Sequence, residues 1–246
     1  MKIKETLSAD RRRWLQRVAG ASAALMLGLT PGARADISGK LKIGIVGSGR
    51  VGGGIGGVWV KAGYPVMFSS RNLENDQALA ARLGPDALAG TPPEAAAFGD
   101  VVMISVPYGA LPSVGEDLAA LIKGKVVIDT CNPFEWRDGD IATWARNKGA
   151  GLASAELLPG ARIVRAFNAI GAARMAAAHQ NPGQVAMPIA SDDAEAAEIA
   201  SQLIRDVGYE PVLIGGLEMG RYLMPGTPLA GERSPERLRE ILASLE

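Results

Sequence analysis

The chain has 246 residues and is 48% hydrophobic, which is enough to furnish a sizeable core and too apolar for a disordered polymer. Its 26 basic and 26 acidic residues balance, and residues 36–246 alone hold 19 basic against 24 acidic, so no basic footprint points to nucleic acid or to an anionic membrane. One cysteine, Cys131, and one histidine, His179, exclude an internal disulfide, a cysteine-based or multi-histidine metal site and a Ser-His-Asp triad.

Residues 1–35 read as an address. "RRRWLQ" (Arg11–Gln16) precedes the small and apolar "VAGASAALMLGL" (Val18–Leu29), and "ARA" (Ala33–Ala35) offers small residues at a cleavage site. The apolar run is too short to cross ~30 Å of hydrocarbon comfortably. It resembles a twin-arginine export signal, so the expectation is an exported, periplasmic product that starts at Asp36 and keeps no membrane insertion once cleaved.

Short apolar runs then alternate with segments of helical composition. The runs are Lys42 to Val46, Pro65 to Ser69, Val101 to Val106, Val126 to Thr130, Ile163 to Phe167, Val185 to Ala190 and Pro211 to Ile214. Candidate helices lie at about Val51 to Ala62, Asn75 to Leu83, Pro93 to Phe98, Leu111 to Ile122 and Ala194 to Val207. Continuous apolar strands alternating with helices predict a doubly wound α/β domain with a mostly parallel sheet, Rossmann-like, over residues 36–246. Pro133 to Gly160 reads as the least regular stretch, and residues 216–234 as surface chain before a short final helix, Pro235 to Leu245, with Ser234 as its N-cap.

Gly47-x-Gly49-x-x-Gly52 follows the first strand and opens a helix, the context a dinucleotide fingerprint requires. Gly47 suits the tight turn, Gly49 lets backbone amides approach a pyrophosphate, Gly52 permits close helix-strand packing, and the helix N-terminus favours the phosphates' charge. About 20 residues on, where NAD enzymes place an acid, the chain has Ser69-Ser70-Arg71. Two hydroxyl donors and a guanidinium suit a 2′-phosphate, which predicts NADP in preference to NAD. "ISVPYGAL" (Ile104–Leu111) sets Val106, Pro107 and Tyr108 just past a strand's carboxyl end, where Tyr108 either covers a nicotinamide or is an ordinary loop aromatic. Asn132 and Asn168 end two further strands and either bind a ligand or cap turns.

"KIGIVGSGRVGG", "FSSR", "ISVPYGA", "LPGARIVRAFNAIGA", "MPIASDDAEAAEIASQLIRDVGYEPVLIG" and "RYLMPGTPL", taken together, resemble the deazaflavin (coenzyme F420)-dependent NADP oxidoreductase family. They are also similar to the reductase domain of membrane ferric reductases. The likeness runs from about Leu41 to Leu229. It implies a single NADP-binding domain with a small C-terminal extension, often a homodimer. It further implies that Ser48, Arg50 and Val51 line the pyrophosphate, that Ser70 and Arg71 hold the 2′-phosphate, and that Val106, Pro107 and Tyr108 border the nicotinamide. Members commonly carry Trp where this chain has Tyr108.

Hydride transfer between two rings needs alignment more than an acid or base, which accords with a chain poor in histidine and cysteine and leaves no catalytic residue to name. The expected partner is a small-molecule redox acceptor, a deazaflavin, flavin or other planar ring. A nucleotide-binding accessory protein without turnover is the competing reading. Hydroxyacid dehydrogenases and pyrroline-5-carboxylate reductases add a large helical domain, whereas residues 185–214 read as strand, helix, strand.

Overall fold

The computed structural model describes residues 40–245 apart from 176, 178 and 179, so the expected export signal and His179 lie outside the described residues. Strands β1 (Ile43–Val46), β2 (Val66–Ser69), β3 (Ala87–Ala89), β4 (Val101–Ile104), β5 (Val126–Asp129) and β6 (Arg162–Arg165) form one six-stranded sheet in the order β3-β2-β1-β4-β5-β6, with every pairing parallel. Helices α1 (Arg50–Lys61), α2 (Leu73–Leu83), α3 (Pro92–Phe98) and α4 (Leu111–Ile122) supply the crossovers among the first five strands. This is the doubly wound α/β architecture that the alternating pattern predicts.

Between β5 and β6 the chain is helical where an irregular loop is expected: α5 (Glu135–Asp138), α6 (Asp140–Lys148) and α7 (Ala150–Leu157) follow one another. Gly139 (φ 62°) and Gly149 (φ 97°) occupy the left-handed region at the two junctions, so the turn formers punctuate short helices rather than abolish them. After β6 come α8 (Ala172–Met175), β7 (Ala186–Ile189), α9 (Ala194–Asp206), β8 (Glu210–Leu213) and α10 (Pro235–Ala243). β7 and β8 pair in parallel as a separate two-stranded sheet, tied to the main one by an antiparallel bridge between Arg165 and Ala190. Ser234 caps α10 by accepting the Arg237 N–H, with Pro235 at the first turn, as the sequence predicts.

Alternation along the strands builds two cores. Ile43, Ile45, Met103 and Ile128 pack with Ile55 and Trp59 of α1 and with Leu203 and Ile204 of α9. Val46, Val102, Ile104 and Val127 pack on the opposite face with Leu111, Leu118 and Ile122 of α4. Trp59 is fully buried, donates from Nε1 to the Leu203 carbonyl at 2.9 Å and meets Phe167 edge-on at 6.1 Å. Truncating an indole so placed costs ~3–5 kcal/mol, which makes Trp59 the pin that fixes the fingerprint helix to the rest of the fold. Among the described residues, no helix is long and apolar enough to cross a membrane.

Candidate functional site

The loop after β1 is built by glycine geometry. Gly47 has φ 103°, and a Cβ there would stand 2.2 Å from the Ser105 carbonyl oxygen. The N–H groups of Gly47 and Ser48 both donate to the Ser69 carbonyl, at 2.9 and 3.0 Å, which ties the loop to the end of β2. A Cβ on Gly52 would lie 2.1 Å from the Gly47 carbonyl oxygen, and one on Gly56 2.3 Å from Ile45 Cδ1, so these two glycines let α1 settle onto the sheet. Gly49 differs. A Cβ there would meet no protein atom within 4 Å, so nothing inside the fold requires glycine. Gly49 is the N-cap of α1, without a side-chain cap and with no acid in the first turn, so the helix presents an uncompensated positive end.

Two cavities meet at that end, and Gly49 and Arg50 line both. The first, of about 330 Å³, lies beyond the carboxyl ends of the strands and is bordered by Val51, Ser105, Val106, Pro107 and Asn168. The second, of about 470 Å³, lies between the fingerprint loop and α2, where Ser48, Asn75, Asp76, Leu79 and Arg82 line it. Among the described residues no carboxylate pairs with Arg50, Arg71 or Arg82 in an ion pair. Asn75, Leu79 and Arg82 repeat at helical spacing, so Arg82 was accessible to sequence reasoning as the i+7 member of one α2 face.

Two of the expected contacts are corrected. Ser69 is fully buried and its hydroxyl donates to the Ile45 carbonyl at 2.6 Å, so it offers nothing to a phosphate. Tyr108 is also fully buried, in the core beneath α4, with its hydroxyl 3.2 Å from Ser154 Oγ and donating to the Ala150 carbonyl at 3.4 Å. Burial raises its pKa above the ordinary phenol value, and nearby Asp129 adds to the rise. It borders the core and not the cleft, which Val106 and Pro107 do line. Tyr108→Phe is accordingly expected to cost about 1 kcal/mol in urea unfolding and to leave nicotinamide-dinucleotide affinity within about twofold. A tenfold loss of affinity would return Tyr108 to the ligand. Arg71 is exposed at the end of β2 and lines neither cavity.

Asn168 is 1% exposed, lines the first cavity, and neither its Oδ1 nor its Nδ2 has a hydrogen-bond partner. Leaving a buried carboxamide unmet costs ~1–3 kcal/mol, a cost a ligand would remove. The preceding Phe167 has φ 60°, a strained value for a non-glycine residue, and its N–H donates to Met187 Sδ at 3.3 Å. Asn132 Nδ2 donates to the Asn168 carbonyl at 2.8 Å while its Oδ1 accepts from Arg165 Nη2 at 3.2 Å. Asn132 is therefore committed to the protein and Asn168 to the cavity. The far rim is fixed by Asp138, which accepts from the Gly109 and Phe134 N–H groups at 3.1 and 3.0 Å and from Arg137. Burial pushes its pKa up, but these bonds outweigh it and hold the carboxyl below its ordinary value. Cys131 is buried with its thiol pKa raised chiefly by desolvation, so no thiolate is available. Among the described residues no group of three His, Cys, Asp or Glu side chains converges as a metal site.

Residues 42–133 match the family model described as NADP oxidoreductase, coenzyme F420-dependent. That stretch of the chain is similar to the F420-dependent NADP oxidoreductase family. The chain is 29% identical over 203 residues to the F420-dependent NADP reductase of Methanothermobacter thermautotrophicus, spanning 77% of this chain and 87% of that one. It is 30% identical over 183 residues to the metalloreductase STEAP3 of Rattus norvegicus, 73% of this chain but only 35% of that longer protein. A solved structure of a Sinorhizobium meliloti hypothetical protein superposes with a TM-score of 0.67 at 24% identity, covering 78% of this chain and 94% of that one. At that identity the superposition shows the shared fold alone. The F420-dependent family match falls on β1 to β5, the elements that carry Gly47 to Gly52, Val106 and Pro107.

Proposed function

We propose that the protein is an NADP(H)-dependent oxidoreductase that passes hydride between nicotinamide and a planar acceptor, a deazaflavin or flavin. The observation that carries this reading is the pair of cavities joined at Gly49 and Arg50, with unpaired arginines at one end and the orphaned Asn168 carboxamide at the other. A dinucleotide matches that division. Its pyrophosphate suits the open N-terminus of α1 above Gly49, its phosphorylated adenosine suits Arg50, Arg82 and the nearby Arg71, and its carboxamide suits Asn168. The cofactor supplies the hydride. Val51, Val106 and Pro107 offer an apolar wall that orients a ring, and alignment of donor and acceptor carbons is worth on the order of 7 kcal/mol or more without an acid or base.

The purified protein, mixed with NADPH and then rapidly with deazaflavin or flavin, is expected to lose nicotinamide absorbance in step with acceptor reduction. Arg82→Ala, which removes a cation from the adenosine cavity, and Arg71→Ala, which removes the exposed cation at the end of β2, should each weaken NADPH about tenfold more than NADH. Tight NADPH binding with no acceptor-dependent oxidation would identify an accessory nucleotide-binding protein instead. Export by the twin-arginine route and homodimerisation belong to this proposal; a folded, cofactor-loaded protein delivered to the periplasm would carry its nucleotide with it, and after each hydride transfer the retained NADP+ would be re-reduced by a second hydride donor such as a reduced flavin or deazaflavin.

A further inference from the structure

The adenosine end of the site contains a carboxylate that the nucleotide reading does not use. Asp76 lies in the first turn of α2, is 1% exposed and lines the second cavity. Its Oδ1 accepts the Ser48 hydroxyl and its Oδ2 accepts the Ser70 hydroxyl at 2.8 Å. Ser70 Oγ in turn accepts the Asn72 N–H at 3.1 Å. Each hydroxyl has a single proton: Ser48 directs its proton at Asp76, while Ser70 Oγ has the Asp76 carboxylate at 2.8 Å and the Asn72 carbonyl at 3.2 Å as acceptors.

The consequence is a reversal of polarity. A 2′-phosphate is an acceptor only and requires donors, whereas a free ribose hydroxyl can donate. With its proton held by Asp76, Ser48 presents lone pairs to the cavity, and the carboxylate behind it repels a phosphate dianion. Side-chain donors to a phosphate on that cavity are left to Arg50, Arg82 and the Asn75 carboxamide. Resting on the dinucleotide reading above, we infer that Asp76 is a specificity-determining residue: it turns Ser48 into an acceptor for a ribose hydroxyl, so that the site takes NADH as well as NADPH. The acid that NAD enzymes place at the end of β2 is here delivered from α2, six residues beyond Ser70.

The experiment is a set of fluorescence titrations of NADPH and NADH against wild type, Ser48→Ala and Asp76→Asn. For wild type, the two dissociation constants are expected within about tenfold of each other. Ser48→Ala should weaken NADH more than NADPH, because it removes an acceptor of the 2′-hydroxyl. Asp76→Asn should raise the preference for NADPH at least tenfold, because the amide can return the Ser48 proton to the ligand and the repelling charge is gone. Ser48→Ala weakening NADPH more than NADH would overturn the inference even if Asp76→Asn failed to fold, and so would a wild-type preference for NADPH above about a hundredfold. Wild type that binds neither dinucleotide would instead overturn the proposed function and the inference with it.

Discussion

Gly49→Val is expected to reduce NADPH affinity by about a hundredfold or more while leaving the free energy of unfolding in urea within about 1 kcal/mol of wild type, the cost of losing an N-cap glycine. The two halves of that expectation rest on one observation. A Cβ at Gly49 meets no protein atom within 4 Å, and the residue's extended backbone (φ −67°, ψ −155°) is open to any side chain. The branched side chain would therefore project into the space shared by both cavities and over the free amides of α1. Gly56→Val supplies the contrast. Its Cβ would stand 2.3 Å from Ile45 Cδ1 and 2.5 Å from Phe68 Cε1, so these buried side chains or α1 itself must shift, at a cost of ~1–3 kcal/mol. Isothermal titration with NADPH and equilibrium urea unfolding on both variants check the contrast. A Gly49→Val protein that binds NADPH normally would remove the pyrophosphate from the N-terminus of α1.

The alternation of strands with helices and the fingerprint turn were legible because both are written in local chemistry. Runs such as Ile43–Val46 and Val101–Ile104 are apolar on both faces, as strands covered on both sides must be, and Gly47 is demanded by its positive φ and Gly52 by the Gly47 carbonyl earlier in the same turn. β3 escaped because Ala87, Leu88 and Ala89 carry no β-branched or aromatic signal, and their strand state comes from pairing with β2. α5, α6 and α7 escaped because Gly139 and Gly149 read equally well as loop formers. At the site, composition could nominate Ser69, Ser70 and Arg71 but could not say which way each side chain points. Ser69 turns inward to Ile45 through strand-end geometry that one residue of register would reverse, and Tyr108 packs under α4 from a 3-10 turn (Tyr108–Ala110) whose direction no local pattern announces. Asp76 was hidden for a different reason: it reaches Ser48 across 28 positions of sequence, a distance that only the folded turn closes.

The largest stability effect belongs to the floor beneath Asn168. Asp129 and Arg165 end neighbouring strands and face each other in register, both side chains have no exposure, and Arg165 Nη1 lies 2.5 Å from Asp129 Oδ2. The second carboxylate oxygen accepts the Cys131 N–H at 2.8 Å, whereas Arg165 Nε has no partner, so the guanidinium depends on Asp129 for its charge balance. Asp129→Ala leaves that cation buried and unpaired and is expected to cost ~3–5 kcal/mol in urea unfolding. For a folded unit of this size that corresponds to a fall in melting temperature of roughly 6–20 °C. Asp129→Leu combined with Arg165→Met removes both charges at similar volume and should recover most of the loss, because desolvating an ion pair offsets much of its attraction. The functional readout separates further. Arg165 holds Asn132, and Asn132 holds the Asn168 carbonyl, so the double variant should regain stability yet bind NADPH several-fold more weakly than wild type, with affinity for 2′,5′-ADP unchanged. That split arises only if the buried pair positions the nicotinamide end of the groove; restoration of both stability and NADPH affinity would reduce Asp129 and Arg165 to a structural pair.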